Sequence, residues 1–553
     1  MIDASDAAAL SVTPIQRVNS GSAINREVAL PFAAGVVLLS ASLANFLNRS
    51  DYSFFRADVG LVIAVFALIS VVVTLIYRTM NWPFRAALEG LLAGLFVDLN
   101  SSETSWAIAA GVLVGAVVFR RRRSLAGPMA IFGSVVLITT LLGFQGHWSW
   151  VRTTEGKPTH APSAIGQPAI LHIILDEHIG LEGMPVMGPD GVKLRDELRA
   201  TYLGAGFSVF GRAYSEHMHT VNAIPSVLNY GRTRTLKHSF TGVAIGPTEH
   251  VRFLSKAGYA VNIFQSDFAD LCTGAPYSRC TTYDSFSLRP LLNFPLSLPE
   301  RSQLIGVKFL TVSGFGNAAL YLWNTTASIG RRAGLNLPNI SLSGSALTSS
   351  AATFVALDEL KMQLSRAKPG DAFIVHLLLP HYPYVLAKDC TMLPRQHWDR
   401  RNTKSDISLR QKAYMDQLRC VTSQTMQAVK IFQASTAGKD ATIVIHGDHG
   451  SRITNVDPRA GRIGKFNDSD LIAGFSTLFA VHTSSSAATY VSEPQPIATL
   501  MRRLSENGFR QTPRAMPLKR HDVFLDNQRW EPSQRLGMPV HWLAGDGVAA
   551  ANH

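Results

Sequence analysis

Five apolar runs crowd into the start of the chain, at residues 28–47, 59–77, 82–97, 106–119 and 129–146, parted by short polar loops. A helix needs about 20 mostly apolar residues to cross a bilayer core, so these runs commit the first quarter of the molecule to lipid. Composition points the same way: of 553 residues 46% are hydrophobic and only 16% charged, which favours a membrane part plus a folded domain over two water-soluble cores. The third run carries Arg85 and Glu89 and the fourth is short, so these two count as spans through the placement of charge. Arg120, Arg121, Arg122 and Arg123 close the fourth run, and Arg78 and Arg85 flank the turn between the second and third. Cationic loops stay in the cytoplasm, so both turns face inward. Arg17 and Arg26 place the N-terminus on the same side, and an odd number of spans delivers everything after Gly146 outside. Trp148 and Trp150 then occupy an interfacial aromatic belt. The first 27 residues are polar and the first run is long enough to span, which predicts a permanent anchor. The expected layout is a cytoplasmic segment 1–27, about five transmembrane helices over 28–146, a linker over 147–168 and an exported domain over 169–553.

Cys272, Cys280, Cys390 and Cys420 all fall in the exported part. An even number in an oxidising compartment suggests two disulfides. Of the three pairings, proximity in sequence alone favours Cys272 with Cys280 and Cys390 with Cys420; four free core cysteines are the alternative. None has the spacing of a zinc knuckle. The net charge of +13 is split between topology-setting loops and the exported domain. It therefore points to anionic lipid head groups or an anionic envelope substrate, and not to nucleic acid.

After the Pro/Ser/Thr/Gly-rich stretch 152–167, short apolar runs recur at 169–175, 260–264, 372–379, 442–445 and 477–481, separated by helical stretches. Buried strands alternating with helices predict an α/β domain with a mostly parallel central sheet. Ligands of such sheets bind at the carboxyl edge. One segment complicates this layout: residues 304–323 are as apolar as a span and are read as a surface-lying or core helix near the bilayer.

Four motifs are read at strand ends. An apolar run finishes in Asp176, Glu177 and His178; His219, Thr220 and Asn222 lead to Pro225; Leu377 to Leu379 lead to His381; and the run 443–447 leads to Asp448, His449 and Gly450. Singly, a strand-terminal aspartate is a cap or turn and a lone histidine is core. Together, two carboxylates and an imidazole suit a divalent cation, with the nitrogen ligand favouring zinc or manganese over calcium, the third candidate. The cation would also bind the Thr220 oxygen and lower its pKa, which a hydroxyl needs before it attacks anything near neutral pH.

On these motifs the chain resembles the alkaline phosphatase superfamily, in particular its sulfatase-like membrane enzymes, among them phosphoethanolamine transferases and lipoteichoic acid synthases. The resemblance implies an exported alkaline phosphatase/sulfatase-like domain with one catalytic metal and a threonine nucleophile. It assigns Asp176, Thr220, Asp448 and His449 to the metal, Thr220 to attack, and His381 to the transferred group or leaving oxygen. Glu177 and His178 sit next to a ligand and support it. His219 and Asn222 fall beside the nucleophile, and Arg452 would hold an anionic group, a solvated arginine being the plainer reading. The cysteine form of the C/S-x-P-x-R motif that some sulfatases mature is absent. Ala223 replaces the serine that phosphoethanolamine transferases usually carry two residues before the proline, and SRITNVDPRAGR replaces their Glu- and His-rich stretch. The function implied is transfer of a phospho-head group, through a phospho-threonine, to an envelope lipid or glycan from an inner-membrane enzyme. A sulfatase or phosphodiesterase using water, and a catalytically silent glycan- or lipid-binding relative, use the same residues.

Overall fold

The computed structural model describes residues 20–101, 104–143, 149–156, 167–232, 238–239, 242–335, 348–394, 397–398 and 407–545. Trp148 and residues 157–166 of the expected linker lie outside them. The chain divides into two compact units: residues 1–49, 53–147 and 305–338 form one, and 50–52, 148–304 and 339–553 the other.

The apolar runs of the first unit are helices: Ser20–Arg49, Ala57–Thr79, Trp82–Ser101, Thr104–Arg121 and Ala126–Leu142. Ala29–Arg49, Ala57–Thr79 and Thr104–Arg121 are long and apolar enough to cross a membrane; Ala126–Leu142 is apolar but shorter. The charges of Trp82–Ser101 are all satisfied within the unit. Glu89 accepts from the Tyr77 hydroxyl at 2.6 Å and from the Leu125 amide at 2.7 Å. Arg85 donates to the carbonyls of Tyr77 and Met80, both at 3.0 Å, and of Arg78 at 2.9 Å. In a medium without water that pairing is what makes such residues tolerable. Glycines let this helix lie against its neighbour: a Cβ on Gly90 would meet the Gly111 carbonyl at 2.5 Å and one on Gly94 the Ala107 carbonyl at 2.9 Å, the small-residue packing of membrane helices.

Segment 304–323 is not one helix. Two helices, Leu298–Thr311 and Gly314–Arg332, meet at 117°. The break follows from capping: Ser313 Oγ accepts from the Gly316 amide at 2.8 Å, and Asp98 accepts from the Phe315 amide at 2.8 Å and the Thr104 hydroxyl at 3.1 Å. Two otherwise orphaned amides are satisfied and an acidic group meets the positive end of the helix dipole. Residues 305–338 thus pack with the helical unit and interrupt the 169–553 run.

The second unit is built on a nine-stranded sheet. In spatial order its strands are Val151–Glu155, Arg279–Tyr283, Ala260–Ser266, Asp371–Leu377, Ile170–Leu175, Thr442–Gly447, Phe479–His482, Ser208–Phe210 and Tyr490–Val491. The five runs read from sequence are all here. Pairing is parallel from Arg279–Tyr283 through to Thr442–Gly447, and Phe479–His482 is antiparallel to both its neighbours. The three central strands are buried along nearly their whole length, and each carries one buried histidine, His172, His376 or His446, within its apolar run. Val151–Glu155 falls where a linker was expected; its Val-Arg-Thr-Thr-Glu run is mostly β-branched and forms the antiparallel edge strand. Both expected disulfides are present, Cys272–Cys280 and Cys390–Cys420.

Candidate metal centre and catalytic site

Register brings the acidic residues together. Leu175, Leu377 and Gly447 lie side by side across the three central strands, so all three strands end at one level. The next residues continue the ladder: the Asp176 amide donates to the Leu377 carbonyl at 3.0 Å and the Asp448 amide to the Leu175 carbonyl at 3.2 Å. The glycines around Asp448 are required by close approach. A Cβ on Gly447 would stand 2.4 Å from the His178 carbonyl, and one on Gly450 2.1 Å from the Ala473 carbonyl. Thr220 departs from the expected placement at a strand end. It is the first residue of the helix Thr220–Leu228, whose N-terminal amides and dipole favour negative charge at its side chain.

One ligand atom each from Asp176, Asp448 and His449 falls within 4.8 Å of the others. Each is set in place. Asp448 Oδ1 accepts from the amides of Glu177 at 3.0 Å and His449 at 2.8 Å, which leaves Oδ2 facing His449 Nε2 at 3.4 Å. His449 Nδ1 lies 2.9 Å from the Gly450 carbonyl; an Nδ1–H donated there leaves Nε2 with a lone pair, the form a metal takes. Nε2 is 3.2 Å from Thr220 Oγ1 and 3.7 Å from Asp176 Oδ1. Among the described residues Asp176 Oδ1 and Asp448 Oδ2 are buried with no hydrogen-bond partner. Buried carboxylate oxygens without a partner are costly, and a divalent cation is the group that satisfies them, so the residues fit a metal.

The electrostatics agree. Burial, then repulsion from Asp448 and Glu177, pushes the Asp176 carboxyl well above the usual range; burial raises Asp448 as well. Burial, then the Arg452 guanidinium, holds the His449 imidazole neutral. Positive charge between these groups reverses the penalty on both acids.

A second cluster adjoins the first. Arg452 donates through Nε to Glu177 Oε1 at 2.7 Å and through Nη2 to the same oxygen, and Nη2 also lies 3.0 Å from His381 Nε2. Arg452 is therefore no solvated arginine. Burial opposes ionisation of Glu177, but Arg452, with His381, overrides it and brings the carboxyl down to about 2. Glu177 and Arg452 both take left-handed backbone conformations, φ 64° and 52°, which cost non-glycine residues free energy and concentrate at functional sites. The Tyr414 hydroxyl buttresses the turn, donating to the Glu177 carbonyl at 2.7 Å and accepting from the Ile179 amide at 3.0 Å. His178 turns away, its Nδ1 2.9 Å from the Ile179 carbonyl, and burial lowers it to about 4.

His219 and Asn222 meet a residue the sequence reading missed. Asp526 Oδ2 lies 2.6 Å from His219 Nδ1 and accepts from Asn222 Nδ2 at 3.2 Å, and Asn222 also donates to the Trp530 carbonyl at 2.8 Å. The Trp530 ring stacks on His219 at 5.7 Å. Burial lowers His219 while the Asp526 hydrogen bond opposes it. Asp526 ends the strand Asp522–Asp526, so Val-Phe-Leu-Asp repeats the apolar-run-then-aspartate pattern seen at Asp176. Gln417 was missed too: its Nε2 donates to the carbonyls of Pro380 at 2.9 Å and His381 at 3.1 Å, holding the loop that presents His381.

No family model matches the chain, and no curated protein does. Among solved structures the chain is similar to the C-terminal periplasmic domain of EcEptC from Escherichia coli in complex with Zn, at 12% identity over 72% of this chain and 98% of that one, with a TM-score of 0.37. It is similar to the phosphonate monoester hydrolase SpPMH from Silicibacter pomeroyi at 15% identity, 65% and 80% coverage and a TM-score of 0.38. A 2-O GAG sulfatase aligns at 12% identity, 63% and 72% coverage and a TM-score of 0.36.

Proposed function

We propose that the chain is a membrane-anchored, metal-dependent enzyme of the alkaline phosphatase superfamily that acts on phosphate esters in the cell envelope with Thr220 as nucleophile. The observation that carries this reading is Thr220 Oγ1 at 3.2 Å from His449 Nε2, beside two buried carboxylate oxygens without partners. Asp176, Asp448 and His449, with Thr220, would hold zinc or manganese. When bound, such a cation lowers the pKa of the threonine hydroxyl and offsets charge on the non-bridging phosphoryl oxygens.

Thr220 Oγ forms the bond to phosphorus from the positive end of its helix, and the ester oxygen leaves as that bond closes. His381 gives the leaving oxygen its proton and takes one from the acceptor that resolves the phospho-threonine. Arg452, held by Glu177, keeps His381 oriented and faces the developing negative charge. The acceptor is a lipid-linked or glycan hydroxyl, since confinement to a membrane raises the effective concentration of such partners. The apolar helices support a multi-pass anchor in an inner membrane with the α/β unit on the outer side.

The test uses full-length protein in detergent, bis(4-nitrophenyl) phosphate and added zinc or manganese. Metal-dependent release of nitrophenolate and a 4-nitrophenylphosphoryl group on Thr220, trapped by acid quench and found by mass spectrometry, are expected. Wild-type rates from Thr220→Ala would overturn the assignment. Lipid and glycan mass profiles of cells carrying the same variant separate transfer, which changes them, from hydrolysis by water.

A further inference from the structure

A cavity of about 410 Å³ opens against the second cluster, lined by Glu177, His219 and Arg452. The same cavity is lined by Arg410, Arg459 and Arg462, with Asp457 as its remaining acidic residue. Its charges do not cancel. Arg452 is neutralised by Glu177, and Arg459 by Asp457 at 2.5 Å. Among the described residues Arg410 and Arg462 have no carboxylate partner, and Arg410 Nε is buried without a hydrogen-bond acceptor. Four guanidinium groups less two carboxylates leave two positive charges facing one cavity. A buried donor without an acceptor is destabilising in the free protein, and guanidinium forks match phosphate, sulfate and carboxylate oxygens pairwise.

We propose that Arg410 and Arg462 form a subsite for a second anionic group, so that the substrate is an ester bearing a further phosphate or like anion besides the group attacked. This rests on the reading of the neighbouring site as the place of ester attack: the cavity wall shared with His219 and Arg452 puts the second anion on the same molecule as the first. The chemistry is common to a phosphorylated glycan and a phosphorylated lipid head group.

Two matched pairs of probes separate those sources, each measured by calorimetry on metal-loaded full-length protein near physiological salt. The first pair is glucose 1,6-bisphosphate against glucose 1-phosphate. The second is dihexanoyl phosphatidylinositol 4-phosphate against dihexanoyl phosphatidylinositol. In at least one pair the member with the extra phosphate binds about tenfold tighter or better, the scale of one charge-assisted contact. That advantage falls to about twofold or less in Arg410→Gln/Arg462→Gln, with circular dichroism and metal content confirming that the variant folds. The pair with the larger advantage identifies the source. No advantage in either pair, or one that survives in the double variant, overturns the subsite. Hydrolysis of bis(4-nitrophenyl) phosphate, which has no second anion, is followed in parallel. Its absence from the wild type would count against the reaction assigned above and leave the binding comparison intact.

Discussion

Both units bury carboxylates, and they treat them in opposite ways. In the helical unit Asp58, Glu89 and Asp98 are buried and each is answered: Asp58 by the Val59 amide at 3.0 Å and by Arg56, Glu89 by Tyr77 and Leu125, Asp98 by Thr104 and Phe315. In the α/β unit Asp176 and Asp448 are as deeply buried, yet each keeps an oxygen with no partner among the described residues. Burial of an acid is thus no mark of function by itself. The mark is an acid whose surroundings fix one oxygen, as two amides fix Asp448 Oδ1, and leave the other facing an imidazole.

The contrast can be broken by experiment. The largest effect belongs to Thr220→Ala, which lowers turnover of a phosphodiester by about 10⁴-fold or more if the hydroxyl is the nucleophile, with near-ultraviolet circular dichroism unchanged. Next comes the metal. Zinc added to stripped wild-type protein at about a thousand times its Kd stabilises it by about 4 kcal/mol, read as a rise in the unfolding midpoint. Asp176→Asn and Asp448→Asn abolish most of that rise. An equal rise in either variant would remove the distinction drawn between the two units.

The Glu177–Arg452 pair sets a pH window. A carboxyl lowered from an ordinary 4.5 to about 2 contributes stability that is fully present above pH 4.5 and is lost as the pH falls towards 2. The loss is about 3 kcal/mol at full protonation, and acid titration of the unfolding free energy detects it. Glu177→Gln should flatten this window. The smallest effect is in the helical unit: Asp98→Ala strands the Phe315 amide and costs about 1 to 3 kcal/mol, while the zinc-induced rise stays at its wild-type size.

Much of this was legible from local pattern. Runs such as 170–175 and 442–447 are mostly apolar because a central parallel strand is buried along its whole length, and the aspartate after each run marks the sheet edge. Short strands gave no such signal; Ser208–Phe210 and Tyr490–Val491 are too brief for any period to show. Asp526 lies 307 residues from His219, and no spacing rule spans that distance. The break at Ser313 was hidden for a different reason: the acid that caps the second helix, Asp98, belongs to a helix 217 residues earlier, so local hydropathy there reads as one uninterrupted segment.

That last bond constrains biogenesis. The helix Trp82–Ser101 emerges from the ribosome early, but the amide that completes the Asp98 cap comes only with Phe315, after residues 148–304 have been made. The helical unit therefore cannot reach its finished packing as a first, independent step of synthesis. A chain stopped just after the fifth helix would lack its closing piece, and quality-control proteases should remove it faster than a chain continued through Arg332.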